Sequence, residues 1–255
     1  MKSPLKWVGG KSRLADQICN LIPEHKHYAE AFAGAGWVFF RKDPSKFESL
    51  NDINGDLVSF YRVLQNHLEE FCKQFKFILS SRETFSEFKE QMEAGGLTDI
   101  QRAARFYYLQ RHSFGGKVTG RNFGVNVNGY PPINLLRLET ELSDVHLRLA
   151  RVTVENLPWA KYITRYDREE TFFYLDPPYY GTEFFYGRGL FTKNDFVELA
   201  EILRGVKGKF LLSLNDCKEV RDIFDGFDII TTKTKYTVGG GKKMKTAGEV
   251  FIKNY

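Results

Sequence analysis

The chain has 255 residues, of which 42% are hydrophobic and 27% charged, with a formal net charge of +5. This length fits one domain, or one domain with an insert, and the composition excludes a disordered charged tail and provides enough apolar residues for a core. Three widely spaced cysteines argue against a disulfide framework and against a zinc site. The sequence shows neither the pattern of a signal peptide nor the ~20-residue apolar run of a membrane span. We therefore expect a cytoplasmic protein with reduced thiols.

Strand and helix patterns alternate along the first part of the chain. A helix is predicted over about 11–21, a strand over 27–31 and a second strand over 47–50, with a glycine-bearing turn at 32–36 between the strands. Further helices are predicted over about 56–68, 84–92 and 98–112. Asn54 or Asp56 and Thr84 are the expected N-caps, because their short polar side chains accept hydrogen bonds from the first helical N–H groups.

Residues 113–132 differ from their surroundings and are predicted to form a long loop or irregular hairpin. They contain five glycines and two adjacent prolines, and long loops inside a compact domain are usually functional or mobile. Strands are then predicted over about 151–155, 171–175 and 209–214, a helix over 194–203, and a strand pair over 227–236 and 248–253. Strand–helix units at both ends predict an α/β sheet domain of residues 1–56 and 146–255 that carries a helical and irregular insert at 57–145.

Positive charge is concentrated in three windows, 1–15, 100–138 and 229–248, which together contain fifteen Lys and Arg but no Asp or Glu. Aromatic residues such as Trp7 and Phe114 are interleaved with these charges. A polyanion of stacked bases suits such a surface, because cations neutralise phosphates and rings stack on bases. The alternative is three separate, solvated basic surfaces.

The most specific motif is an apolar segment, residues 172–175, that runs directly into Asp176-Pro177-Pro178-Tyr179. A buried strand would deliver one carboxylate at its carboxyl end, where ligands bind in open α/β sheets. The prolines lack N–H groups, so the turn offers acceptor oxygens, and Tyr179 offers a ring for stacking. This set suits a planar amine whose two N–H bonds point at oxygens. The alternative is a Pro-Pro turn that only ends a strand.

A glycine turn after the first predicted strand points to a nucleoside cofactor. Gly34 and Gly36 stand in the segment from Phe32 to Gly36, and Asp52 follows the next predicted strand. An acidic side chain at this position accepts hydrogen bonds from the ribose hydroxyls of an adenosine ligand. Both features have structural alternatives, which are a tight turn for the glycines and a helix N-cap or turn residue for Asp52.

Near the N-terminus, Gly10-Lys11-Ser12 is similar to the end of an ATP-binding P-loop. That loop needs a glycine where Leu5 stands and a strand before it, so we exclude ATP binding. Lys11 beside two glycines can instead clamp a carboxylate, and Trp7 can lie near a cationic sulfonium.

Together these motifs resemble the N6-adenine DNA methyltransferases of the Dam type. The shared residues are Lys6-Trp7, Gly9-Gly10-Lys11, Phe32-x-Gly34-x-Gly36, Asp52 and Asp176-Pro177-Pro178-Tyr179. The resemblance implies a Rossmann-like, S-adenosylmethionine-dependent methyltransferase sheet with an inserted helical and loop domain for target recognition. It implies S-adenosyl-L-methionine as the cofactor, with Phe32 and Gly34 beneath it, Asp52 on its ribose, Trp7 and Lys11 near its methionine part, and Asp176 in contact with it.

The resemblance also implies the chemistry. The target adenine is flipped out of the duplex, because its amino nitrogen is unreachable inside the stack. Asp176 and the Pro177 carbonyl accept the two N6 hydrogens while Tyr179 stacks on the base, and the methyl group moves by direct in-line transfer without a metal. Methylation of cytosine N4 and a DNA-binding protein without catalysis are the alternatives, while the lack of a Pro-Cys dipeptide argues against attack on cytosine C5.

Candidate DNA contacts come from the basic windows, and they are Lys6, Arg111, Phe114, Lys117, Arg121, Lys242 and Lys243. Sequence preference is expected to reside between 108 and 132, where a Phe-Gly-Gly-Lys stretch is similar to phage- or prophage-borne members. Arg111 has an alternative role as a structural ion pair at a helix end. Members that read GATC carry an arginine for guanine at the offset where this chain has Thr119, which leaves the recognition sequence open.

The expected partner is double-stranded DNA, with no membrane and no metal ion. A monomer is favoured, while a cognate restriction endonuclease, a regulatory role and phage protection are all left open.

Overall fold

The structure, a computed structural model, describes residues 1–124, 128–187, 189–236 and 245–255, without the side chains at 185, 233–236 and 245–247. The strands are β1 (His27–Glu30), β2 (Phe47–Asn51), β3 (Val152–Glu155), β4 (Thr171–Leu175), β5 (Lys209–Asn215), β6 (Asp228–Tyr236) and β7 (Lys245–Lys253). The α-helices are α1 (Ala15–Leu21), α2 (Trp37–Arg41), α3 (Gly55–Asn66), α4 (Leu68–Lys73), α5 (Arg82–Ala94), α6 (Asp99–His112), α7 (Leu138–Leu149), α8 (Trp159–Tyr166), α9 (Lys193–Gly205) and α10 (Lys218–Ile223). Short 3-10 turns lie at Phe114–Gly116 and Glu183–Tyr186.

The strands form one seven-stranded sheet in the order β3-β2-β1-β4-β5-β7-β6. Strands β1 to β5 pair in parallel with one another, whereas β7 lies between β5 and β6 and is antiparallel to both. The order reverses between β1 and β4, and open α/β sheets bind ligands outside the carboxyl ends of strands at such a point. The α/β, Rossmann-like fold class predicted from the sequence is confirmed.

Alternation along β4 divides the core into two layers. Phe172 and Tyr174 face one side of the sheet and pack with residues of α1 to α7, while Phe173 and Leu175 face the other side and pack with α8 to α10. Since β4 is covered on both faces, its residues from Phe172 to Leu175 form an unbroken apolar run, as expected of a parallel sheet. This burial fixes the point at which the chain leaves the sheet at Asp176.

Several helices begin at short polar side chains. Asn54 accepts hydrogen bonds from two N–H groups of the first turn and caps α3, as predicted. Helix α5 begins earlier than predicted, because Ser81 rather than Thr84 is its N-cap and accepts from the Thr84 N–H. Thr98 caps α6 through a reciprocal capping box with the third residue of the helix.

Five helices, α2, α4, α7, α8 and α10, were not predicted, and α1 begins at Ala15 rather than at residue 11. Helix α7 carried a usable signal, since its buried residues Leu138, Leu142, Val145 and Leu149 recur at helical spacing. Helices α4 and α10 span six residues each, too few for a periodic pattern. Within the described part of the chain, no helix is both long enough and apolar enough to cross a membrane.

The segment predicted as an insert packs on the sheet. Helices α3 and α6 contact each other, and their buried side chains join those of α1, α2 and one sheet face in a single hydrophobic cluster. Helix α3 also contacts β3 and α7. The assignment of 57–145 to a separate DNA-recognition domain stays a prediction.

A buried ion cluster joins β2 to the end of α2 and to α7. Glu48 accepts hydrogen bonds from Lys42 at 2.6 Å and from two guanidinium nitrogens of Arg148, and Lys42 lies over the ring of Tyr28 at 4.3 Å. Burial opposes ionisation of Glu48, but the hydrogen bonds from Arg148 and Lys42 hold its pKa below the usual value. Glu48 therefore stabilises the fold in its charged form.

We expect Glu48→Gln to lower the free energy of unfolding by about 3–5 kcal/mol at neutral pH, because two buried cations lose their partner. The pKa of Glu48 is lower in the folded than in the unfolded chain, so its contribution is present at neutral pH and is lost as the pH falls through the folded pKa. Urea denaturation should therefore show parent and variant converging in acid.

The control for this variant is Asp16→Asn. It breaks an exposed pair with Arg41 that solvent screens, so the free energy of unfolding should stay nearly unchanged. Equal losses for the two variants would contradict a stabilising role of the buried cluster.

Candidate active site

Residues that follow three neighbouring strands meet at the carboxyl edge of the sheet around a cavity of about 260 Å³. Strand β1 leads into the glycine turn, β2 into Asp52 and β4 into Asp176, and the three strands pair in parallel. Because parallel strands end at the same edge, segments far apart in sequence form one wall. The N-terminal segment from Trp7 to Lys11 also lines the cavity.

The glycine turn after β1 requires glycine at two positions. Gly34 and Gly36 have φ of +47° and +62°, in the left-handed region that residues with a Cβ rarely adopt. A Cβ on Gly34 would also lie 2.9 Å from the indole nitrogen of Trp7. The hydroxyl of Tyr61 donates to the Gly34 carbonyl at 2.9 Å. The predicted glycine motif therefore shapes the wall of the cavity and its contact with the N-terminal segment.

The Asp52 carboxylate is oriented by backbone N–H groups. Its two oxygens accept hydrogen bonds from Gly34 and Asn54, both at 2.9 Å. Burial raises the pKa of Asp52, and these backbone donors oppose the rise. Each carboxylate oxygen has a second lone pair, so that Asp52 can still accept hydrogen bonds from a ligand in the cavity.

Phe32 forms an aromatic wall with two rings that sequence reasoning missed. Its ring centroid lies 6.2 Å from that of Trp159 and 5.7 Å from that of Phe191, and all three residues line the cavity. Trp159 begins α8 shortly after β3, so its place beyond the end of a parallel strand was a signal that could have identified it. Phe191 lies between a 3-10 turn and α9 and carried no such signal.

Asp176 follows the end of β4 and meets the ammonium of Lys11. Lys11 Nζ lies 2.5 Å from Oδ1 of Asp176 and 4.5 Å from the ring centroid of Tyr179, and it also donates to the Gly9 carbonyl. Burial raises the pKa of Asp176 to about 6, and Lys11 opposes the rise. The sequence predicted that Lys11 would clamp a carboxylate, and here the carboxylate that it contacts belongs to the protein.

Two further carboxyl groups lie near this pair and were not predicted as site residues. Glu249 of β7 is fully buried, and its Oε1 lies 3.5 Å from Lys11 Nζ. Glu30 ends β1, lines the cavity and accepts a hydrogen bond from Tyr28, and burial raises its pKa to about 8. Only strand pairing brings Glu249 here, so no local motif announces it. Among the described residues, no group of three or more His, Cys, Asp or Glu is arranged to hold a metal ion.

The N-terminal segment is held by α6 and by the glycine-rich stretch after it. Val8 donates its N–H to the Gly116 carbonyl at 2.9 Å, and Gln110 donates to the carbonyls of Lys6 and Gly116. Gly116 has a φ of +67°, and a Cβ there would lie 2.8 Å from the backbone nitrogen of Trp7. The described part of the predicted long loop therefore packs directly on a wall of the cavity.

A second, more open groove of about 610 Å³ lies beside the cavity and shares Trp7, Gly10 and Trp37 with it. Three predicted DNA contacts, Lys6, Arg111 and Phe114, line this groove. The side chains of Lys6 and Phe114 are exposed, as is the ring of Tyr130, which also lines the groove. The structure thus brings together a cation and two exposed rings beside the cavity.

Arg111 is engaged with the backbone rather than in the helix-end ion pair considered as its alternative role. Its guanidinium donates to the carbonyl of Pro132 at 3.1 Å and to that of Pro4 at 3.2 Å. It therefore joins the end of α6 to the N-terminal segment and to the glycine-rich stretch.

Two other predicted DNA contacts, Lys117 and Arg121, are not among the residues that line the groove. Lys117 is exposed, whereas Arg121 lies over the ring of Phe106 at 5.2 Å and donates to Gln110. Lys242 and Lys243 lie outside the described residues.

Comparison with known proteins places this arrangement in a family. A model described as D12 class N6 adenine-specific DNA methyltransferase matches residues 7–238, a range that includes the glycine turn, Asp52 and Asp176. The chain belongs to this family. The resemblance to Dam-type enzymes that the motifs predicted is confirmed, and family membership makes the chain an adenine-specific DNA methyltransferase.

Several known proteins are similar to this chain in sequence, and the similarity covers most of their own lengths. The Type II methyltransferase M.CviBI of Paramecium bursaria Chlorella virus NC1A is 27% identical, covering 92% of this chain and 91% of its own. The Type II methyltransferase M1.LlaDCHI of Lactococcus lactis subsp. cremoris is 28% identical, covering 98% and 94%. The DNA adenine methylase of Escherichia coli K12 is 28% identical, covering 94% and 91%. Viral and bacterial proteins are thus similar to this chain over most of its length.

Proposed function

We propose that this chain transfers a methyl group from S-adenosyl-L-methionine to N6 of adenine in double-stranded DNA. The observation that carries the proposal is the position of the Asp176-Pro177-Pro178-Tyr179 turn, which opens from the end of β4 onto the same cavity as the glycine turn and Asp52. One cavity therefore joins a turn suited to an amine with a carboxylate suited to a ribose.

The residues around the cavity fit this cofactor. Phe32, Trp159 and Phe191 form an apolar wall for a purine, and Asp52 is placed to accept from ribose hydroxyls. Tyr174 also lines the cavity, and it is 3% exposed with a hydroxyl that has no hydrogen-bond partner among the described residues. Buried hydroxyls are nearly always hydrogen-bonded, so this one fits a polar group of a bound ligand.

The charge of the cavity lining fits a cationic ligand. The lining contains four carboxyl side chains, Glu30, Asp52, Asp176 and Asp195, and Lys11 is the one lysine or arginine among the described lining residues. When bound, S-adenosyl-L-methionine supplies a methyl group on a sulfonium cation. Burial raises the pKa of Glu30 to about 8, so this group is mostly neutral at pH 7. The three aspartates still outnumber the one lysine, and an excess of carboxylates favours a positive charge in their midst. Trp7 and Lys11 are proposed to lie near its methionine part.

The turn after β4 would hold the substrate amine. Asp176 and the Pro177 carbonyl accept hydrogen bonds from the two N6 hydrogens, and Tyr179 stacks on the base. These contacts keep the nitrogen lone pair out of conjugation with the ring and in line with the methyl group, and positioning of this kind supplies much of the rate. Ionised Asp176 is the accepting form, so activity falls as the pH drops through its pKa of about 6. The family favours adenine N6 over cytosine N4 as the target.

The groove beside the cavity is the proposed DNA interface. The amino nitrogen of adenine is enclosed in the duplex, so the base must be flipped out to reach Asp176. Lys6 offers a charge for phosphate and Phe114 an exposed ring for a base, next to the cavity that the base would enter. Further proposed contacts are Arg111, Lys117, Arg121, Lys242 and Lys243, with the segment 57–145 as the recognition region.

Asp176→Asn tests the proposal at its centre. The amide keeps the size of the side chain but loses its charge and presents a donor, so single-turnover methyl transfer should fall about 10²–10³-fold. The control is Asp216→Asn, because Asp216 follows β5 at the same sheet edge but pairs with Arg221 outside the cavity lining. Nucleoside analysis of the DNA identifies the product as N6-methyladenine. Transfer within a few-fold of the parent by folded Asp176→Asn protein would place the chemistry elsewhere.

Tyr174→Phe tests the fit of the cofactor. Because the hydroxyl is buried without a partner, its removal should leave the free energy of unfolding of the unliganded protein unchanged or raise it by up to about 1–3 kcal/mol. Affinity for S-adenosyl-L-methionine should fall by about 0.5–1.5 kcal/mol in calorimetry. The control, Tyr61→Phe, loses a bond to Gly34 and should reduce stability. A destabilised Tyr174→Phe protein with unchanged affinity would remove the hydroxyl from the ligand site.

Lys6→Gln tests the DNA interface. Loss of one phosphate contact should reduce the slope of log affinity against log salt by about 1 without changing the preferred sequence. The control is Lys46→Gln, an exposed lysine just before β2 and hence at the opposite, amino edge of the sheet. If the two variants change the slope equally, the groove is not the DNA interface.

A further inference from the structure

Glu249 is a buried carboxylate that the proposed chemistry does not use. It lies on β7 opposite Asn215 of β5, at the edge of the sheet that carries the site, and its residue is 0% exposed. Its Oε1 accepts a hydrogen bond from the hydroxyl of Ser213 at 2.5 Å and lies 3.5 Å from Lys11 Nζ. A fully buried carboxylate needs a compensating cation, and Lys11 supplies one.

Lys11 is thereby shared between two carboxylates. Its Nζ lies 2.5 Å from Asp176 on one side and 3.5 Å from Glu249 on the other, and it also donates to the Gly9 carbonyl at 3.4 Å. The lysine side chain is 2% exposed, so water does not compete for these contacts. An ammonium has three N–H donors, and its position is set by the acceptors around it.

We propose that Glu249 is a positioning residue that holds Lys11 between itself and Asp176, so that Lys11 engages one oxygen of Asp176 and the other oxygen serves the substrate amine. This inference rests on the proposed role of Asp176 in methyl transfer. With Glu249 present, the lysine charge is divided between two partners, and Asp176 stays a stronger acceptor than it would be with the lysine to itself.

The charged and titratable groups that face Asp176 come from every element around it. They are Lys11 from the N-terminal segment, Glu30 from β1, Tyr174 from β4, Tyr186 from the 3-10 turn, and Glu249 from β7. Burial raises the pKa of Asp176 most, Lys11 lowers it, and the negative charge of Glu249 raises it again. Removing the Glu249 charge therefore moves the pKa of Asp176 downward.

The test is the pH dependence of single-turnover methyl transfer in the full chain, with saturating S-adenosyl-L-methionine and DNA, for the parent and Glu249→Gln. Glutamine keeps the size and an acceptor oxygen for Ser213 but removes the charge. The acid limb, near pH 6 in the parent, should move to lower pH. The rate on the plateau should fall by about tenfold or more, because Lys11 shifts and Asp176 accepts less strongly.

Glu48→Gln is the matched control, because Glu48 is also a buried carboxylate with cation partners but lies outside the cavity lining. It should lower stability without moving the acid limb. A purely structural role for Glu249 would give both variants the same unshifted profile, and that result would overturn the proposal. Lack of adenine methylation by the parent would instead refute the proposed function itself.

A double-mutant comparison keeps the test decisive if Glu249→Gln does not fold. Lys11→Met with Glu249→Gln removes one positive and one negative charge together, so Asp176 loses its cation but no second uncompensated carboxylate lies beside it. Lys11→Met alone leaves both carboxylates without this cation, so the comparison is made on protein shown to be folded. If Glu249 acts through Lys11, adding Glu249→Gln to Lys11→Met should leave the plateau rate within about twofold of Lys11→Met alone. A further tenfold loss on adding Glu249→Gln would show that Glu249 acts independently of Lys11 and would contradict the proposal.

Discussion

The site depends on one interaction, the contact of the buried Lys11 ammonium with the carboxylates of Asp176 and Glu249. Moving such a charge out of water costs several kcal/mol unless its partners are in place. The partners of Lys11 come from β4 and β7, while the lysine itself comes from the N-terminal segment. The cluster is therefore stable only when three distant segments have docked together. Because Asp176 belongs to the cluster, its charge state depends on that docking as well as on any ligand.

Trp7 connects this cluster to the groove beside the cavity. The indole packs against the glycine turn, and the backbone of the same residue packs against Gly116 in the stretch that follows α6. Hydrogen bonds from Gln110 and Arg111 hold the neighbouring backbone. Cavity and groove thus share a wall made of Trp7 and Gly10 from the N-terminal segment together with Trp37. Because these contacts are direct, a displacement of the glycine-rich stretch would also displace the N-terminal segment and hence Lys11.

Features that depend on local sequence were predictable, whereas those that depend on long-range pairing were not. Strand β4 and the Asp176 turn were predicted because an unbroken apolar run followed by two prolines has few other structures. The glycine turn has the same local character, since positive φ at Gly34 and Gly36 demands glycine. Glu249 was missed because only the antiparallel pairing of β7 with β5 brings it to the site. The roles of the basic residues were also not predictable, because composition does not show whether a cation faces DNA or the protein itself. The guanidinium of Arg111, for example, donates to backbone carbonyls.

The place of β7 between β5 and β6 also determines the order in which the site can be assembled. Strands β5 and β6 precede β7 in the chain but are separated by it in the sheet. Strand β5 can pair with β4 at once, but it cannot gain its second neighbour, and β6 cannot pair with β7, until β7 has been synthesised. Until then β5 presents unpaired backbone groups along its edge, which is a template for aggregation. The insertion of β7 closes that edge and delivers Glu249 in the same event. A nascent chain whose β5 edge is still open to aggregation therefore also lacks Glu249 in the charge cluster. The same step covers the edge of the sheet and completes the site.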